Sequence, residues 1–178
     1  MNPRIFRIVS KTLVVLPLLL VITSSVNAQS TIGQRTLKGL DGLAVVIDVT
    51  NPEAEGFGLS TEQLKSSVES QLSKAGVKVL PISKMLEAKG KPQLYITINV
   101  QKSNSDMFAY SVSVRFKQGV MLTRVVGKSS TTMTEFTGTT WEQSDALGFV
   151  DAGKLQSIGS AVTGQVDNFI KDFLAVNK

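Results

Sequence analysis

The sequence predicts an α+β fold: a single domain in the order β-α-β-(α)-β-β-β-α, with a mixed, mostly antiparallel sheet and helices packed on one face. Three observations predict it. Gln93 to Gln101 alternates strictly, with Leu94, Ile96, Ile98 and Val100 on one side and Tyr95, Thr97, Asn99 and Gln101 on the other, the pattern of a half-buried strand. Leu64, Val68 and Leu72 recur every four residues behind a helix-start signal. From Ala152 to the end, Leu155, Ile158, Val162, Val166, Phe169, Ile170, Phe173 and Leu174 form one broad apolar stripe, which needs a sheet face to cover.

Residues 1–28 read as a secretory signal peptide. Arg4, Arg7 and Lys11 form a basic start, Leu13 to Ile22 is an unbroken apolar run, and Val26-Asn27-Ala28 offers small residues for processing. A spanning helix needs about 20 apolar residues; this run is shorter and holds Pro17, so no stable membrane span is expected after cleavage. Residues 29–39 (QSTIGQRTLKG) are polar and read as a flexible lead-in, and residues 40–178 as the single domain.

Leu43 to Thr50 (LAVVIDVT) is β-branched and apolar on both sides, which predicts an interior strand with both faces covered. Asn51 to Gly58 is a loop. Ser60-Thr61-Glu62-Gln63 is a capping box that opens a helix, and Gly76 stands where a left-handed cap closes it. Val77 to Leu80 reads as a second short strand ended by Pro81, which makes a βαβ unit with a right-handed crossover. Ile82 to Ala88 is a turn or two of helix. Phe108 to Lys117 alternates, and a further strand over about Val120 to Val126 continues it through a bulge near Gly119. Ser129 to Phe136 is a threonine-rich last strand. Gly138 to Val150 shows no clear period and reads as loop, and Asp151 is placed to cap the last helix.

The residue inventory excludes much chemistry. The chain has no cysteine and no histidine, which removes disulfides, lipoprotein processing, thiolate chemistry, the usual general base and the commonest zinc ligand. Neither Ser-x-x-Lys nor Gly-x-Ser-x-Gly occurs. Gly127-Lys128-Ser129 imitates the end of a phosphate loop, but Leu122 stands where that motif needs its first glycine. The acid pairs Glu53/Glu55 and Glu135/Glu142 read as solvated surface, and no calcium-loop pattern is present. The leader carries Arg4, Arg7 and Lys11 of the 19 basic residues and none of the 14 acids. The remainder is therefore near neutral, without a basic stripe, and nucleic acid is not expected as a partner. No enzyme activity, metal or cofactor is expected.

Two features suggest a binding surface. The threonine-rich strand, with Thr132 and Thr134, reads as the wet side of an edge strand, and Trp141 behind it is a candidate docking anchor or a core residue under the last helix. Thr132, Thr134 and Trp141 are therefore the predicted contact with a partner protein in the cell envelope. The other reading places a small apolar or lipid-like ligand between the sheet and the Phe169, Ile170, Phe173 and Leu174 end of the last helix.

Leu72 to Leu80 (LSKAGVKVL), Leu94 to Lys102 (LYITINVQK), Ala109 to Arg124, Thr139-Thr140-Trp141 and Val166 to Asn177 (VDNFIKDFLAVN) resemble a group of small exported bacterial α+β proteins over most of the chain behind the leader. That resemblance assigns no catalytic residues, so none is carried over. The element order is also similar to the N-terminal domain of the Tol-Pal system's propeller protein, a likeness that implies docking to other envelope proteins.

The leader predicts a mature chain that starts at Gln29 and lies outside the cytoplasm. Intact-mass measurement of the exported protein is expected to show that start; the full-length chain held in the inner membrane contradicts it.

Overall fold

In a computed structural model of the chain, residues 27–103, 106–126 and 130–177 are described, with backbone alone at 27–31, 126 and 130–132. The elements are α1 (Asn27–Thr36), β1 (Ala44–Val49), α2 (Thr61–Lys74), α3 (Ile82–Glu87), β2 (Gln93–Lys102), β3 (Met107–Val126), β4 (Ser130–Glu142), β5 (Ala146–Asp151) and α4 (Ile158–Val176). Short 3-10 segments, Pro52–Phe57 and Ala152–Ser157, precede α2 and α4. The predicted leader lies outside the described residues except for Asn27 and Ala28, which open α1; so does the Gly127–Ser129 turn.

The fold is α+β, as the periodicities predict. β1 pairs with β2 in parallel, and every other pairing is antiparallel. β3 is the axis. Its residues Phe108 to Lys117 pair with β2, while on its other edge Met107 to Val112 pair with β5 and Arg115 to Val126 pair with β4. β4 and β5 thus follow one another along the same side of β3.

One face of the sheet is apolar. Leu94, Ile96 and Ile98 of β2 stand in register with Phe116, Val114 and Val112 of β3, and all six are buried. Val162, Val166 and Phe169 from α4 and Leu64, Val68 and Leu72 from α2 join the same core. At its centre the Phe169 ring lies 5.8 Å from Phe116 and 5.1 Å from Trp141, edge-on to the latter. Helix α2 is capped as its sequence predicts: Ser60 accepts from the Gln63 amide, and Gly76 follows the helix at φ 84°, a left-handed conformation that a Cβ would penalise.

Several elements differ from the sequence-based expectation. The predicted strand Val77 to Leu80 makes only a single bridge, Val79 to Leu43, so the parallel partner of β1 is β2. β1 is correspondingly the end strand of the sheet; Leu43, Ala44 and Val45 are buried at its start, and Asp48 is exposed near its end. The bulge falls on β4, where Phe116 faces Trp141 but Lys117 faces Thr139. The region 138–150, expected as loop, completes β4 and forms β5. Its period is hidden by Gly148, over which the Tyr110 side chain lies so closely that a Cβ there would sit 2.6 Å from the ring. Asp151 makes no side-chain cap and instead accepts from Lys154 at 2.9 Å.

The lead-in is also structured. Leu37 is fully buried, and the Asn177 side chain accepts from the Gly39 amide and donates to the Leu37 carbonyl, both at 2.8 Å. A short apolar anchor and end-to-end hydrogen bonds order this segment despite its polar composition.

Phe169→Ala is expected to destabilise the domain by about 3–5 kcal/mol, because it removes the ring that three aromatics share and leaves a cavity. Urea unfolding of the variant against the parent checks this.

Candidate interaction surface

The surface begins with a mismatch of strand lengths. β2 stops at the level of Lys117. Beyond it, β3 from Gln118 and its β4 partners continue as a two-stranded arm. On the β2 side the arm gains one further bond, from the Gly119 amide to the Gly90 carbonyl at 2.6 Å. β4 pairs with β3 alone among the described strands, so no described strand covers its outer edge, and α1 meets it only at Thr140 and Trp141.

The arm is apolar on both sides. By register, Leu122 and Phe136 project to the helix side and Met121, Val125 and Met133 to the other; all five are exposed, Val125 to 75%. An isolated two-stranded ribbon is marginal in water, and exposed apolar side chains on both faces give it nothing to bury against. The outer strand also lacks the usual protection of a free edge: from Ser130 to Trp141 its one ionisable residue is Glu135, and it has neither lysine nor proline.

The three predicted contact residues fall in different places. Thr134 is exposed on the arm opposite Leu122. Thr132 pairs with Arg124, and its side chain lies outside the described residues. Trp141 is not at the surface. It is 3% exposed, packs edge-on against Phe169, and donates its indole N–H to Asp172 Oδ2 at 2.9 Å. The anchor reading of Trp141 is thereby corrected: a large ring beside an apolar helix gains more by burial than by exposure.

Asp172 has a second role. Its Oδ1 accepts from Gln34 on α1 at 2.7 Å, and the β4 bulge serves the same contact. Thr36 donates to the Thr140 carbonyl at 3.1 Å, and Gln118 donates to the Thr140 hydroxyl at 2.9 Å and to the Thr36 carbonyl at 3.1 Å. At the helix end named for a lipid-like ligand, Leu174 is half-buried and the other three residues are buried. Phe169 and Phe173 are buried with ring centres 6.1 Å apart, and Ile170 is buried beside them.

The sheet face opposite the helices is polar in its centre. Tyr95 donates to Asp48 at 3.2 Å and lies under the Lys117 ammonium, 3.4 Å from the ring centre, a cation–π contact. Partial loss of water, then the hydrogen bond to Asp48 and its negative charge, raise the Tyr95 phenol above its ordinary value. Arg115 binds Glu142 at 3.1 Å and Asp145 at 3.6 Å. Glu55 accepts from Thr61. Of the acids considered for catalysis, Glu142 and Glu55 are thus engaged structurally, and no group of three or more metal-binding side chains occurs among the described residues. No described helix is long and apolar enough to cross a membrane.

Sequence reasoning missed Leu147 and Phe149, which are 77% and 73% exposed on β5 and project onto this same polar face beside Ser111 and Ala109. The short alternation around Gly148 was their signal, diluted by that glycine. Compared with known proteins, the sequence matches no family model and no curated protein.

Asp172→Ala is expected to cost about 1–3 kcal/mol by leaving the buried indole N–H without an acceptor, and to speed tryptic cleavage at Arg35 as α1 loosens. Asp172→Asn keeps an acceptor and is expected to lose less; denaturation and limited proteolysis separate the two.

Proposed function

We propose that the chain is an exported, non-catalytic module of the bacterial envelope that binds a partner protein by strand addition along the outer edge of β4. The observation that carries this reading is the arm. Its edge is long, regular and nearly free of charge, and it is flanked on both faces by exposed Met121, Leu122, Met133 and Phe136. An added strand would take up the unpaired amides and carbonyls of β4, and its side chains would cover the apolar residues on either face. Main-chain pairing supplies affinity in such complexes, and side-chain pockets supply specificity. The leader supports the compartment. The absence of histidine and cysteine from the sequence, with the structural use of Glu55 and Glu142, supports contact rather than turnover. The contact residues are then Thr132 and Thr134 with their apolar neighbours, and Trp141 acts from beneath by fixing the base of β4.

Photocrosslinking groups placed at Met133 and Thr134 are expected to form a discrete adduct with an envelope protein in intact cells, whereas one at Glu62 on α2 is expected to form none. The pair Met133→Lys and Phe136→Lys, both at exposed positions, is expected to lower the yield at Thr134 by about tenfold while the melting temperature holds. Equal yields from Thr134 and Glu62, or no adduct at all, contradict the reading.

A further inference from the structure

We propose that the polar face of the sheet binds a neutral sugar unit in the groove at its β5 end, with the Phe149 ring as stacking platform. The groove is open, with a volume of about 410 Å³, and it is lined by Thr50, Asn99, Gln101, Ala109 and Ser111, with Val100 and Tyr110 between them in sequence. That size lies within the range of small-molecule sites.

The strand register builds the site in two rungs. Gln101, Ala109 and Phe149 stand side by side across β2, β3 and β5, and Asn99, Ser111 and Leu147 form the next rung. Each rung runs from an amide, over a small residue, to an exposed apolar side chain. Ala109 leaves depth between the Gln101 amide and the Phe149 ring. Asn99 Nδ2 already donates to Ser111 Oγ at 3.0 Å, which fixes both side chains and leaves the Asn99 carbonyl oxygen as an acceptor and the Ser111 hydroxyl hydrogen as a donor.

The lining chemistry selects the ligand class. The groove carries no carboxylate, ammonium or guanidinium, so it has nothing to bind an ionic ligand. An alkyl chain would cover the Asn99 and Gln101 amides and the Ser111 hydroxyl and leave them without partners. A pyranose fits both halves: its hydroxyls pair with Asn99, Gln101 and Ser111, and its C–H face meets the negative face of the Phe149 ring. This site lies on the sheet's face, apart from the β4 edge proposed above for a protein partner.

The test is a two-dimensional NMR titration of the intact mature protein with cellobiose, maltose and chitobiose in separate experiments. At least one is expected to give saturable shifts at Asn99, Ser111 and Phe149. Phe149→Ala and Asn99→Ala are expected to weaken that binding at least about tenfold, with Phe136→Ala on the arm as an unaffected control. Phe149 is exposed, so its truncation leaves the fold intact, as an unchanged melting temperature would show. The proposal is overturned if none of the three sugars gives saturable shifts, if binding survives both groove substitutions, or if Leu147 and Phe149 shift with protein concentration alone, which would assign the ledge to a second copy of the chain.

Discussion

The length of β3 is the constraint from which the rest of the molecule follows. A strand from Met107 to Val126 is much longer than the mean strand of about 5–6 residues, and no single neighbour matches it. β2 covers its first half on one side, and β5 and β4 share the other side in succession. Where β2, β5 and the helices cover β3, its alternate side chains become core. Where the cover ends, the strand runs on into the solvent as the arm, with apolar residues on both sides. The proposed binding edge is therefore not an addition to the fold; it is the uncovered remainder of its central strand.

The base of that arm is held with particular care. Trp141, Phe169 and Asp172 join β4 to α4, and Gln34 and Thr36 bring α1 onto the same point. The bulge between Phe116 and Lys117 makes this possible. By slipping the register, it leaves the Thr140 carbonyl and hydroxyl as acceptors for Thr36 and Gln118, while Trp141 stays on the core side. A rigid base beneath an exposed ribbon suits strand addition, because a pre-set edge loses less entropy on pairing than a frayed one.

The two sheet faces divide the protein by chemistry. The helix face is a continuous apolar core centred on Phe169. The opposite face holds a charged half, with Asp48, Tyr95 and Lys117 joined in one set and Arg115 and Glu142 paired in another, and a half of amides, hydroxyls and two exposed apolar residues. Side chains paired among themselves are spent on structure. Those of the second half keep hydrogen-bonding capacity, which is why the groove rather than the ion-pair cluster is the place for a small ligand.

The α+β class, the capped helix at Ser60, the alternating strand β2 and the apolar stripe of α4 were legible in the residues alone, because each is a local periodicity that needs no partner to be seen. The strand identity of β5 was not, since Gly148 has its purpose only in the Tyr110 ring packed over it. The helix α1 was not, since its order comes from Leu37, Asp172 and Asn177, residues far apart in sequence. Thr134 could be placed at an edge from composition, but whether Trp141 faced water or core depended on where α4 returned. What the sequence by itself determined is the kind of each long element and the chemistry the chain lacks, because propensity and composition act over a few neighbouring residues. Only the tertiary structure decided which strand edge stayed open, which rings met at Phe169 and which amides came together beside Phe149, because those depend on register between strands, and register is set by packing at a distance.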